Sequence, residues 1–203
     1  GGSVNVTDST FNNNKVYSDG GAISSFDGSV VVTNSTFTDT TSLNGNGGAI
    51  SGNTVTVNNS TFTNTTAEND GGAIYNENGN LSISNCTFTN TTASIGGAIR
   101  VMGNSSVVTV NNSNFNNSTS KNWGGAIGGS GSSLTVNNSA FINTMAGSDG
   151  GAIEGWNVTV ANSRFIYNSA FGNGASIYAS GLTVKNSTFN SPLADGTAII
   201  HIN

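Results

Sequence analysis

One cysteine, one proline, one histidine and five basic residues are all that the 203-residue chain holds of those types, and each shortage removes a class of protein. A lone cysteine, Cys86, cannot close an internal disulfide, so the fold is not a cross-linked scaffold. The cations Lys15, Arg100, Lys121, Arg164 and Lys185 are scattered and the net charge is -5, which leaves no basic stripe for a phosphate backbone; nucleic-acid binding is not expected. His201 has no Cys or His partner, so neither a His-based triad nor a metal set can be assembled, and no cofactor is expected. No apolar run approaches the ~18 residues of a membrane-spanning helix, so this segment is not expected to insert into a membrane. Charged residues make up 7% and aromatics 8%, which by composition alone would suit a disordered polar tract.

What is present contradicts disorder. The stretch 71–93, GGAIYNENGNLSISNCTFTNTTA, recurs along the chain. Its phenylalanines are Phe11, Phe37, Phe62, Phe88, Phe115, Phe141, Phe165 and Phe189, spaced by 24 to 27 residues, and its isoleucines run from Ile23 to Ile199 with spacings of 22 to 28. Apolar residues held at constant offsets over a period near 25 mark a solenoid, in which one unit cannot bury its apolar face and stacking supplies the core. Seven and five residues before each Phe stand pairs such as Val30/Val32, Leu81/Ile83 and Val158/Val160, an alternation of period two that predicts a strand with one buried face. Three residues before each Phe is Asp8 or an asparagine (Asn34, Asn59, Asn85, Asn112, Asn138, Asn162, Asn186). The inward parity changes there, so the chain must bend, and Asn tolerates the left-handed backbone that a bend requires. Stacked amides of this column are expected to form a ladder, and the phenylalanines to stack one per coil. A polar turn, a small residue and a Gly-Gly-Ala-Ile strand complete the unit. Cys86 stands in a column otherwise held by serine and is read as a buried thiol.

The predicted fold is therefore all-β, a right-handed parallel β-helix of about eight coils, about 25 residues and three short strands per coil, with handedness taken from the usual hand of parallel crossovers. Residues 1–203 are expected to form one domain, either a segment of a longer chain or one protomer of a stacked assembly. Joining Asn203 to Gly1 of a second copy preserves the internal spacing, and any export signal or anchor is expected outside this stretch.

The pairing of Gly-Gly-Ala-Ile with a downstream Phe-x-x-Asn, strict at Phe11–Asn14 and Phe165–Asn168, resembles the repeats of the polymorphic outer-membrane proteins, autotransporter adhesins of chlamydiae. It is also similar to adhesin-like surface proteins of methanogenic archaea. The resemblance implies a secreted β-helical passenger or stalk at a cell surface.

Catalysis on a polysaccharide needs two carboxylates flanking a bond. Asp19, Asp70, Asp149 and Asp195 share the column before the glycine pair, but neighbouring coils interrupt them, and Asp before Gly is ordinary turn chemistry. Calcium is the one metal this column would suit, yet no metal site is assigned. Trp123 and Trp156 are the candidates for sugar stacking, against the plainer role of covering the core's flank. A threonine column from Thr109 through Thr183 would suit ice if flat, but Asn111, Asn137, Ala161 and Lys185 beside it are irregular. Sequons make Asn64, Asn80, Asn90, Asn104 and Asn117 candidate glycosylation sites. The reading is a non-enzymatic extracellular or cell-surface stalk or adhesin that meets surface glycans or a receptor on a host or neighbouring cell. The alternatives are a filament subunit stacking end to end and, below it, a polysaccharide-acting enzyme.

Overall fold

The phenylalanines set the geometry of the molecule. In the computed structural model, which describes residues 2–191 and 198–202, all eight rings stack along one axis. Centroids are 4.6–4.9 Å apart and planes within 8° of parallel. Pro192, Ala194, Asp195 and the Gly196-Thr197 pair lie outside the described residues. That separation is the ~4.8 Å spacing of hydrogen-bonded strands. The rings follow because each phenylalanine strand pairs in parallel, in register, with its own copy one coil away, Phe88 facing Phe62 on one side and Phe115 on the other.

Every described strand pair is parallel, and the strands form three sheets. The first has nine rungs, from Val4–Thr7 through Ile23–Thr33 and Ile50–Asn58 to Ile200–Ile202. Two of its rungs are split into separate strands, Ile74–Asn76 with Leu81–Ser84 and Ile99–Val101 with Val107–Asn111. The second, of eight strands, carries the phenylalanines, and the third has seven two-residue strands such as Thr66–Ala67 and Thr92–Ala93. The molecule is thus a solenoid of about seven full turns with about 26 residues per turn.

The third sheet is where the structure differs from the sequence reading. The Gly-Gly-Ala-Ile segment does not form a wall of its own. Its isoleucine enters the first sheet and in most coils runs on into the alternating Val/Leu strand, as in Ile153–Ala161. The third wall is made by the segment read as a polar turn, because a second left-handed residue bends the chain two places after each Phe from Phe11 to Phe165. Asn13, Asp39, Asn64, Asn90, Asn117, Asn143 and Tyr167 all have φ of 53–56°. The bend read from sequence, at Asp8 and the seven asparagines from Asn34 to Asn186, has φ of 49–54°. The first glycine of each pair makes the third corner, with Gly71 at φ 69°. Three left-handed corners per coil give three walls.

The corners stay paired to the next coil: Asn34 N–H donates to Asn58 O (3.1 Å), Asn64 N–H to Thr89 O (3.0 Å) and Gly47 N–H to Asp70 O (2.9 Å). A buried backbone left unpaired would cost about as much as a lost hydrogen bond, so this continuity lets the coil close. Side chains add ladders. At the first corner Asn34 Nδ2 donates to Asp8 Oδ1, Asn59 to Asn34 and Asn138 to Asn112, at 2.7–3.2 Å. At the second, Asn64 donates to Asp39, Asn90 to Asn64 and Asn117 to Asn90, at 2.9–3.2 Å.

Inside, the Val, Leu and Ile columns, the phenylalanines and the Ala of each Gly-Gly-Ala form one continuous core. An inner serine column lines it. Along the column a hydroxyl donates to the carbonyl two residues back and accepts the preceding copy's N–H, as Ser113 Oγ does with Asn111 O and Cys86 N–H. Cys86 is buried as expected; its thiol bonds Ser84 O at 3.2 Å, and burial pushes its pKa up to about 11.

Candidate functional site

The residue after each core isoleucine points out of the first sheet beside the glycine corner, and it is here that the repeat stops repeating. In register from coil to coil these are Ser24, Ser51, Tyr75, Arg100, Gly128, Glu154, Tyr178 and His201. The Asp column borders the same line. Sequence reasoning took up that column and missed this one; its signal was the change from serine to aromatic and charged residues from Tyr75 on, interrupted by Gly128.

Arg100 lies at its centre. Only 6% of it is exposed; its Nε is 3.7 Å from Asp70 Oδ2, its Nη1 is 3.8 Å from Glu154 Oε2 and 3.1 Å from Ser130 Oγ. To reach Glu154 two rungs away, the guanidinium crosses the coil of Gly128. A Cβ there would fall 3.3 Å from Nη1 and 2.7 Å from Ile95 Cγ2, so the glycine opens the notch that the arginine fills. Burial raises the Asp70 carboxyl above its ordinary range, against the opposing pull of Arg100. Glu154 is raised for the same reason, against Arg100 and the Ser130 hydroxyl. Tyr75 next door is raised by burial and then by the Glu77 and Asp70 carboxylates.

Removal of the arginine is therefore expected to cost stability at neutral pH. Arg100→Met leaves two partly buried carboxyls without the cation they share, a loss of about 3 kcal/mol at about pH 7. A carboxyl whose folded pKa is raised keeps its full contribution below the ordinary carboxylate value and loses it as pH climbs through the folded value. The gap between variant and wild type should narrow at about pH 3, below the ordinary carboxylate range, where two carboxyls raised above that range are protonated. Denaturant titrations at the two pH values check this, and an equal gap at both would contradict it.

The Asp column behaves as turn chemistry where its side chains are spent on backbone. Asp19 Oδ1 accepts Asn46 N–H (2.6 Å) and Asp149 Oδ1 accepts Asn173 N–H (2.5 Å). No group of three or more His, Cys, Asp or Glu residues that would hold a metal occurs among the described residues. His201 stacks on Tyr178 at 5.3 Å.

At the other end of the same line is a shallow depression of about 80 Å³ lined by Asp19, Asn46, Ser51, Tyr75, Glu77 and Phe26 among others. Phe26 is 75% exposed and stands at the rim as an open aromatic face beside carboxylates, an amide and hydroxyls. Trp156 and Trp123 are 57% and 43% exposed and do not line this depression.

All five candidate glycosylation asparagines are exposed, but they differ in what holds them. The Nδ2 atoms of Asn64, Asn90 and Asn117 donate within the second-corner ladder, so a glycan there would have to break it. Asn80 uses only its Oδ1, to accept Val107 N–H, and Asn104 lies on the loop before Val107.

A family model described as "Right handed beta helix region" matches residues 2–149 and 51–201. No curated protein and no solved structure matches the chain.

Proposed function

The chain belongs to the right-handed β-helix family, and from that premise we propose that it is a non-enzymatic, extracellular or cell-surface rod, a stalk or adhesin, that holds glycans in the depression beside Phe26. The family includes polysaccharide-acting enzymes as well as proteins that catalyse nothing, so the choice rests on the site. One observation supports the non-catalytic side: Asp70 and Glu154 share the buried Arg100 between them. Acids used as general acid and base must reach the scissile bond. These two are tied to a guanidinium that is itself 6% exposed.

The depression suits a neutral sugar in a different way. An aromatic face takes the apolar side of a pyranose ring, while carboxylate, amide and hydroxyl groups take its hydroxyls. Phe26 offers the first, and Asp19, Asn46, Ser51 and Glu77 the second. A glycan array probed with the wild-type chain and with Phe26→Ala tests the reading. Binding to a defined set of glycans that falls at least about tenfold in the variant, the effect of removing about 1.4 kcal/mol of contact, is the expected outcome. Absence of glycan binding above that of an unrelated solenoid would overturn the adhesin, and shortening of any bound polysaccharide would overturn the non-enzymatic reading.

A further inference from the structure

The outer face of the phenylalanine sheet carries an array that the function proposed above does not use. Thr10, Thr36, Thr61 and Thr87 stand in register in one column, and Thr38, Thr63 and Thr89 in a second column two residues along the same strands. Round the next corner Thr41, Thr66, Thr92 and Thr119 form a third column, with Lys15 at its edge. The buried rings report how regular this wall is. Between Phe11 and Phe115 they stack at centroid spacings of 4.7–4.9 Å with successive planes within 2–4° of parallel, so the rungs that carry the threonines repeat at one spacing.

A regular, uncharged threonine lattice excludes most ligands. Its threonines line neither the depression beside Phe26 nor the one between Asn114 and Arg164 further along the same sheet, as a small-molecule site would. It has no aromatic or arginine anchor of the sort that carries protein interfaces. Its two central columns have no cation to meet phosphate. What it does offer is a repeat: a methyl and a hydroxyl every ~4.8 Å across the strands and every ~6.7 Å along them. Both lie close to the oxygen repeats on the prism face of hexagonal ice. Methyl groups spaced in this way leave first-shell water with few orientations except those that bond to the hydroxyls, so the bound layer is ordered before ice reaches it.

We infer that this face, centred on Thr36, Thr38, Thr61, Thr63, Thr87 and Thr89, binds ice. The threonine column singled out from the sequence, Thr109 to Thr183, belongs to the first sheet instead. Register breaks between Ser25 and Ser29 and between Gly129 and Ser133 disturb that wall, and the array on the phenylalanine sheet has none.

The test is growth of single ice crystals in solutions of the purified chain, followed by recrystallisation of a frozen film. Wild type is expected to facet the crystals, to hold a gap between melting and growth temperatures, and to keep grains small. Thr63→Lys, at the centre of the array, should abolish all three effects, and Thr63→Ser, which keeps the hydroxyl and loses the methyl, should weaken them. Thr159→Lys, the same change on the first sheet, should leave them intact. Unaltered ice growth with the wild type, full activity in Thr63→Lys, or equal loss in Thr159→Lys would each overturn the inference. The glycan reading would survive any of these, since its depression lies on another wall.

Discussion

A Gly72→Ala chain is expected not to reach the native solenoid. The second glycine of each pair passes so near the next coil that an added Cβ would overlap the carbonyl oxygen of that coil's own glycine, Gly72 against Gly97, Gly48 against Gly72 and Gly97 against Gly125. At Gly72 the same Cβ would also press on Thr92 N and O, each 2.7 Å away. These are backbone atoms held in a ladder, so nothing can rotate aside. Relief requires the coils to part, which breaks parallel pairing on all three walls. The cost should exceed about 4 kcal/mol, the range reserved for changes that destroy a structural feature. Gly2→Ala, where a Cβ meets nothing within 4 Å, is the control. Far-UV circular dichroism and guanidinium titration of the two variants check the expectation, and a Gly72→Ala chain as stable as Gly2→Ala would show that the coils are not this close.

The phenylalanine stack makes the second large prediction. Phe88 is fully buried between Phe62 and Phe115. Truncation to alanine removes its transfer energy and opens a cavity, about 3–5 kcal/mol for a core phenylalanine. It also removes two ring contacts, each worth ~0.5–1.5 kcal/mol beyond area. Phe11 is only partly buried and touches one ring, so Phe11→Ala should cost about half as much. Because a solenoid's stability is a sum of repeats and their interfaces, a gap in the middle uncouples the two halves, whereas one at the end frays a single coil. Phe88→Ala should therefore unfold over a broader or two-step guanidinium transition, and Phe11→Ala over one resembling wild type. Equal losses from the two substitutions would contradict a continuous stack.

These residues also show what the sequence can and cannot disclose. Phe88, Leu81 and Ile83 were legible because their columns repeat with a period that only stacking explains. Asn85 was legible as a bend because parity changes on either side of it. The strand Thr92–Ala93 was not, since two residues carry no periodicity by which to tell a strand from a turn. Its corner residue Asn90 looked like one more polar residue in a chain full of them. The roles of Gly71 and Gly72 differ, a left-handed turn for one and close approach for the other, and identical letters cannot separate them. Arg100, Asp70 and Glu154 come from different coils, so their meeting depends on register and on the notch at Gly128. The threonine array escaped notice because its columns flank the phenylalanine and read as neutral outward strand residues.

Register is the claim from which the core, the Arg100 cluster and the threonine array all follow, and spin-label distances measure it most directly. Cysteines placed at Thr10 and, in turn, at Asn114, Arg164 and Thr188 would sit on one outward column, four, six and seven rungs from the first. Cys86, buried and with its pKa pushed up to about 11, should stay unlabelled at neutral pH. With one rung every ~4.8 Å, mean distances of ~19, ~29 and ~34 Å are predicted, rising in chain order. Distances that fail to increase from Asn114 to Thr188, as in a sandwich of antiparallel sheets, would contradict the stacked coil.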